Sequence, residues 1–568
     1  MNYTTEQLEI IESTNPRVKM IAVAGSGKTT TLLAKMQQDI ESGILPSKMC
    51  LMTFTNKAAN QLKAKVPGIK LVGTYHSVYY RLLYRFVPGF DRSIIPERIK
   101  EEELRRIIQN SWTRITTKDF YEVTRKYYDD ELDINEREYR KYKLVYNQYM
   151  MYLLRMKYID YDMIEYEAKL MFQKPEISDK IRGQYTSLYI DEFQDTNKIE
   201  KDIIDLWQPE RLFVVGDAAQ NIYMFRGTTI RNIEEIQVDA THTLSRTFRC
   251  PKKVTDLALQ VLNCSAINYH PVKMNTTISG APVDLYQEFS EDMPNMVNRM
   301  VNRYLLIYPP DSIAILCRTN RQIRELDNTL DAPHTMVSRQ LLWDTDVGML
   351  ILLFIGVCIN PNNDHTFEHF LRATKQIKTE EIDKMLRRVT PDNPLIAETV
   401  NINNDNSQLM EVIQLIKEVM PLEKKIETFF QILPLEDIYG YHSFSQAKPL
   451  ENCMAAIREF SEVINGSEEE FISWAAEEDS QSLIKDNGTV KLMTVHAAKG
   501  LEFDAVIVPY LGKGSFPISR ATQEEELRLM YVAFTRAKKK LAIVRIYQPD
   551  IKDELVDNIL KGLEVKEF

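Results

Sequence analysis

Arg17-Val-Lys-Met-Ile-Ala22-Val-Ala-Gly25-Ser26-Gly27-Lys28-Thr29-Thr30 is the stretch whose reading decides the fold. A β-branched, apolar run ends in small residues, and a helical segment, TTTLLAKMQQDIES, opens directly after it and closes at Gly43. Such a turn between strand and helix lets backbone N–H groups curl around phosphate oxygens at the positive end of the helix dipole. Lys28 adds a cation, and the Thr29 hydroxyl can ligate Mg²⁺. The strict pattern, G-x-x-x-x-G-K-S/T, has glycine where this chain has Ala22. Taken alone, the stretch reads either as a phosphate cradle or as a glycine-rich turn.

Outward from this loop the alternation continues through MCLMTFT and NKAANQLKAKV, and later through SLYIDE (187–192) and LFVVGD (212–217). This is the βαβ rhythm of a parallel sheet with covering helices. Between them, roughly 84–162 is charged, tyrosine-rich and helical in pattern, an insertion. A second βα series starts near Leu244, with strands expected at IAILC (313–317), VKLMTV (490–495), DAVIVPY (504–510) and KLAIVRI (540–546). The stretch 360–486 has no comparable strands, and NPNNDH, NNDNS and GSEEEF punctuate helices there. The expected architecture is α/β: one parallel-sheet core from 1–84 and 163–240, a second from 241–359 and 487–568, and mainly helical insertions at 85–162 and 360–486.

A chain of 568 residues exceeds what one hydrophobic core usually fills, and its 44% hydrophobic and 27% charged content is that of an ordinary globular protein. The longest apolar run, around LILLFIGVC, is too short for a bilayer and reads as a buried core helix. The first residues, MNYTTEQLEII, carry no basic-then-apolar leader, so cytoplasmic residence is the expectation. Six scattered cysteines form no CxxC pair, which argues against a zinc ribbon, an iron–sulfur cluster or a disulfide framework. The net charge of −10 means that any nucleic acid must meet a local basic or aromatic groove.

Asp191-Glu192-Phe193-Gln194-Asp195 caps the SLYI strand beside the loop. Asp191 can hold Mg²⁺, and Glu192 can orient or deprotonate an attacking water. A solvated acidic turn would account for neither the strand nor the partner loop. The succession AGSGKT, TFTNKAA, GTYHS, DEFQDTN, VGDAAQNIYMFRG, TFR, VKLMTVHAAKGLEF and LRLMYVAFTRAKKKL resembles, in order, the motif series of UvrD/Rep/PcrA helicases of superfamily 1. The likeness runs from Gln7 to about Leu541, dense in the cores and faint in both insertions. It implies two RecA-like P-loop cores, ATP and Mg²⁺ as cofactors, and a 3′–5′ DNA helicase or translocase; alanine at the position of Ala22 is usual in that family.

Carried onto this chain, the resemblance implies that Gly25, Ser26, Gly27, Lys28, Thr29 and Thr30 hold the phosphates. By the same likeness, Gln7 reads the adenine, Phe248 stacks on it and Glu502 bonds the ribose. Gln220 would sense the γ-phosphate, with Arg249 and Arg536 as arginine fingers of a kind contributing about 10³–10⁵ in rate. Phe54, Thr55, His76, Tyr223, Phe225, Arg226 and His496 match positions along a single-stranded DNA track. Without the resemblance, either arginine reads as a surface ion pair, the aromatics equally as core, and the histidines as structural. On the helix EEELRLMYVAFTRAK, Leu527, Met530, Tyr531 and Phe534 form a packing stripe.

Departures are Ala218 and Ala219 where acidic residues are common, Phe225 in place of tryptophan, and LRATKQIKTEEI where relatives carry a duplex-contacting loop. Single-stranded DNA and single/double-strand junctions are the expected partners, beside unidentified replication or repair proteins, with no membrane and a monomeric state. The chain stops at Phe568, soon after the last motif, which would suit a compact, stand-alone motor of phage or mobile-element type.

Overall fold

The computed structural model describes residues 3–567 apart from 112, 225–226, 268–272, 281–282, 338–342, 344, 391, 403–405, 441–443, 464–465, 477–487, 548 and 550–551. The chain divides into two compact units, Met1–Gly73 with Arg182–Arg339 and Asp479–Phe568, and Thr74–Ile181 with Gln340–Glu478.

The first unit is built on two six-stranded sheets. One contains β1 (Arg17–Ala22), β2 (Met49–Thr53), β3 (Leu71–Thr74), β4 (Ser187–Ile190), β5 (Arg211–Gly216) and β6 (Ala240–Leu244), in the order β3-β2-β4-β5-β1-β6. The other contains β7 (Val283–Glu288), β8 (Ile313–Cys317), β9 (His334–Val337), β10 (Val490–Thr494), β11 (Phe503–Leu511) and β12 (Ala537–Ile546), in the order β9-β10-β8-β11-β12-β7. From β2 to β6 in the first sheet and throughout the second, neighbouring strands run parallel, as when Met20 of β1 stands opposite both Val215 of β5 and His242 of β6. The expected strands occupy the middle of each sheet. The four that the apolar runs do not announce, β3, β6, β7 and β9, are the four edges.

Parallel strands feed their helices from their C-terminal ends, so the loops after β1, β4 and β5 gather on one side of the first sheet. The loop after β1 shows why Ala22 is no defect. Ala22 is still strand, paired with Leu244, and needs no special backbone. The left-handed conformation falls at Gly25 (φ +73°) and Gly27 (φ +83°), where only glycine is unstrained. A Cβ on Gly25 would also stand 2.5 Å from the Arg249 Cβ and 2.8 Å from the Thr247 Oγ1. The second sheet packs on the helix Gln523–Phe534, buried from Glu526 to Phe534; its Glu526 is paired with Arg318 at 2.7 Å, as a charge in a core requires.

The second unit takes in more chain than the 85–162 and 360–486 segments, since the helices Tyr75–Phe86, Tyr161–Phe172 and Asp346–Ile359 belong to it. Its only described sheet pairs Ser93–Ile94 with Tyr158–Ile159, and the rest is helical. The apolar run around Leu350 lies in Asp346–Ile359, buried nearly all round, as expected of a helix without a polar face. Phe354 stacks on Phe429 at 4.4 Å, and Tyr128 on Tyr166 at 4.3 Å gives the tyrosine-rich insertion its centre. Among the described residues no helix is long and apolar enough to cross a membrane.

Urea denaturation separates the two small-residue requirements. Ala22→Gly is expected to cost no more than about 1 kcal/mol. Gly25→Ala, strained in φ and clashing with Thr247 and Arg249, is expected to cost about 2–4 kcal/mol. Equal costs at the two positions would contradict this account of the loop.

Candidate active site between the two sheets of the first unit

At the C-terminal ends of β1 and β4 the loop and the acidic pair meet. Lys28, first residue of the helix Lys28–Glu41, lies 3.4 Å from the Glu192 carboxylate, and the Thr29 hydroxyl donates to Asp191 Oδ2 at 3.4 Å. Ser26 turns inward, its hydroxyl on the Val23 carbonyl at 2.8 Å, while Thr29 and Thr30 are exposed. Glu192 is held at φ +55°, a left-handed conformation costly for a residue with a side chain, and its backbone N–H donates to Asp191 Oδ1.

Burial sets the charge states. Desolvation opposes charge on Lys28, but Glu192, Asp217 and Asp191 outweigh it and raise its pKa. Burial, with the neighbouring Glu192 charge, pushes Asp191 up to about 7. Glu192 also suffers burial, yet Lys28 and Lys499 hold its carboxyl down at about 2. The pair is thus split: Glu192 is ionised, and Asp191 is poised to ionise when a cation arrives. A hydroxyl oxygen and a carboxylate oxygen side by side are the hard donors Mg²⁺ selects, so Thr29 and Asp191 fit that ion.

The second sheet supplies the facing groups. Arg536, 1% exposed, donates to the Gln220 side-chain oxygen at 3.4 Å and to the Leu501 carbonyl at 3.2 Å. Burial and the nearby Arg249 lower its pKa to about 10, still charged at neutrality. Gln220 donates to Asp217 at 2.6 Å, and Asp217 accepts at 3.4 Å from Tyr531, so that residue of the packing stripe is a contact as well as core. Arg249 lies on Glu502, Nε to Oε2 at 2.8 Å, so these two predicted site residues bind each other. The cleft of about 470 Å³ is lined by Gly25–Thr30, Asp191, Glu192, Gln220, Arg249, Glu502 and Arg536 among others.

Gln7 and Phe248 flank the same loop. Gln7 closes a capping box with Thr4, its Oε1 accepting from the Thr4 N–H at 3.0 Å, and its Nε2 lies 3.0 Å from where a Cβ on Gly27 would stand. Phe248 is 49% exposed, its N–H donating to the Gly25 carbonyl at 2.8 Å, with the Arg246 guanidinium 5.2 Å from the ring centroid. Phe248 thus presents an exposed aromatic ring directly beside the Gly25–Thr30 loop.

Of the DNA-track candidates, Phe54 and Tyr223 stack face to face at 4.6 Å, and His496 lies 6.3 Å from Tyr223. Thr55 caps the helix Asn56–Lys65. His76 belongs to the second unit, where its Nε2 lies 2.9 Å from a Glu165 carboxylate oxygen. Phe225 and Arg226 lie outside the described residues.

Sequence reasoning did not single out Lys499, which binds Asp195 and the Gln220 carbonyl (2.8 Å) and stands 4.8 Å from the centroid of the Tyr223 ring. Burial still raises Asp195 to about 6 despite this partner. Gln194 was missed as well: its Nε2 donates to Glu192 and its Oε1 accepts from the Asp217 N–H at 2.9 Å. Both sit inside the quoted motifs DEFQDTN and HAAKGLEF, which was the available signal.

Residues 3–241 match the UvrD/REP helicase N-terminal domain and residues 242–548 the UvrD-like helicase C-terminal domain. The chain belongs to the UvrD/REP helicase family. Among curated relatives, the ATP-dependent DNA helicase PcrA of Staphylococcus epidermidis is 27% identical over 95% of this chain and 83% of its own length. PcrA of Staphylococcus aureus is 26% identical over 95% of this chain and 82% of its own. The two sheet-based halves are accordingly the cores of an ATP-hydrolysing DNA helicase.

The split carboxylate pair has a thermal consequence. Asp191 has a folded pKa near 7 against an unfolded value of about 3.9, so folding takes up a proton between them and stability falls as pH rises through that window. Asp191→Asn removes the buried charge. In EDTA, differential scanning calorimetry is expected to show a midpoint raised by about 5 °C at pH 8 and by less than half of that at pH 5. A shift of the same size at both pH values would refute the assignment.

Proposed function

We propose that this helicase hydrolyses Mg²⁺-ATP in the cleft and uses the cycle to travel 3′ to 5′ along single-stranded DNA, parting duplex at single/double-strand junctions as a monomer. The observation that carries the reading is the contact of Arg536 with Gln220 at 3.4 Å, which joins a cation on the second sheet to a polar group beside the acidic pair on the first. On this reading the two sheets and their flanking helices are two cores, each interrupted by a helical insertion. A site assembled from both cores is complete only when they are together.

The geometry supports the following roles. Gly25–Thr30 hold the phosphates, Lys28 sharing its charge between Glu192 and the terminal phosphates. Thr29 and Asp191 would hold Mg²⁺, which would supply neutralisation of phosphate charge. Glu192, kept ionised, orients the attacking water and accepts its proton. Gln220 registers the γ-phosphate, and Arg536 and Arg249 neutralise charge developing on the transferred group, Arg249 exchanging Glu502 for phosphate. Gln7 and Phe248 hold the base, and Glu502 turns to the ribose.

Lys499 supports coupling to DNA. It binds the carbonyl of Gln220 and lies over Tyr223, three residues further on, so a shift at the phosphate sensor passes to this buried ring and to the partly exposed Phe54 stacked on it. Ring faces beside a cation suit sequence-independent binding of a single strand, each stacked base contributing about 1–3 kcal/mol. We assign His76 no DNA contact, given its pairing with Glu165.

Steady-state ATPase and tailed-duplex unwinding test this. Single-stranded DNA is expected to stimulate hydrolysis, and Arg536→Ala to lower kcat by about 10³ or more. Duplexes with a 3′ tail are expected to unwind and those with a 5′ tail to remain paired. Hydrolysis indifferent to DNA would overturn the motor, and a 5′ preference would overturn the polarity.

A further inference from the structure

Away from the nucleotide cleft, the second unit brings together three groups the helicase cycle does not use. The helix Asp364–Thr374 carries His365 and His369 four residues apart, hence on one face. Their Nε2 atoms face each other at 3.0 Å, with the rings perpendicular and 4.4 Å between centroids. Glu103, from the helix Glu97–Asn110 of the first insertion, completes the group. One oxygen of its carboxylate and one nitrogen of each imidazole all lie within 4.8 Å of one another.

The surroundings orient these atoms toward a common point. Glu368 lies 3.6 Å from His365 Nδ1 and is itself fixed by Arg372 at 2.9 Å, so a carboxylate stands on the Nδ1 side of the ring, opposite Nε2. His365 Nε2 lies 3.0 Å from His369 Nε2 and 2.9 Å from the Tyr152 hydroxyl. Arg106 binds only Oε2 of Glu103, leaving the other oxygen to a second cation. Two nitrogens bound to one tetrahedral ion at about 2.0–2.1 Å stand about 3.3 Å apart, close to the separation observed.

The geometry points to a transition-metal site of the Zn²⁺ class, with Nε2 of His365, Nε2 of His369 and a carboxylate oxygen of Glu103 as ligands. Imidazole nitrogens with one carboxylate select such an ion over Mg²⁺ or Ca²⁺, which favour all-oxygen sets. The Tyr152 hydroxyl or a water takes the fourth position. Because Glu103 comes from one insertion and the histidines from the other, the ion clips the two insertions together within the second unit. It stabilises that unit by binding only the folded arrangement.

The test uses the full chain, stripped with EDTA and titrated with Zn²⁺ against a chromophoric chelator. One Zn²⁺ per chain is expected at micromolar affinity or tighter, weakened about 100-fold or more by His369→Ala and by the isosteric Glu103→Gln. Melting curves in EDTA that match the parent chain certify the fold of each variant, and added Zn²⁺ is expected to raise the melting midpoint of the parent chain but not of Glu103→Gln. Co²⁺ in place of Zn²⁺ is expected to give visible bands without thiolate charge transfer. Unchanged affinity in both variants, no Zn²⁺ binding at all, or a thiolate band would overturn the site. So would loss of binding in Asp191→Asn with retention in His369→Ala, which would place the ion in the nucleotide cleft.

Discussion

The first unit depends on neutralising carboxylates buried at the C-terminal edge of its first sheet. Asp191, Asp195 and Asp217 crowd there out of water beside the half-buried Glu192, and the helix that follows the phosphate loop offers them one cation, Lys28. The remainder comes from the second sheet, as Lys499 on Asp195 and Arg536 beside Gln220. An isolated buried charge costs several kcal/mol, so neither surface is stable facing the other's absence without water or a ligand to replace it. The contact that holds the sheets together is therefore made of the groups that a triphosphate and its cation would engage.

The same few residues connect the acidic pair to the aromatic stack. Thr29, Asp191, Glu192, Gln194, Asp217 and Gln220 form one chain of hydrogen bonds, and Lys499 extends it to the Phe54–Tyr223 stack. A change of charge at one end alters what the other end can bind. The strained backbone of Glu192 is the local cost of aiming a carboxylate at the same point as the loop.

The sheet centres were legible and the edges were not, for one reason. Central parallel strands are buried on both faces and read as unbroken apolar runs, as in β5 (RLFVVG) and β8 (IAILC). An edge strand such as β6, ATHTL, is half-exposed and carries polar residues, so its sequence resembles a loop. Ala22 shows the same limit at one residue: the pattern asks for glycine, but only the backbone angles tell that Gly25 and Gly27 meet the need. His76 shows it in reverse, a motif residue whose partner, Glu165, lies far along the chain.

By itself the sequence determined the phosphate loop, the acidic pair, the order of motifs and the two-core plan, because each rests on short-range patterns that fix local backbone and chemistry. Only the tertiary structure decided which distant charges neutralise one another, that Arg249 rests on Glu502, that Lys499 joins the cores, and that Glu103 meets His365 and His369. Those pairings arise between residues tens to hundreds of positions apart, where partner choice is set by packing and by the cost of a lone buried charge.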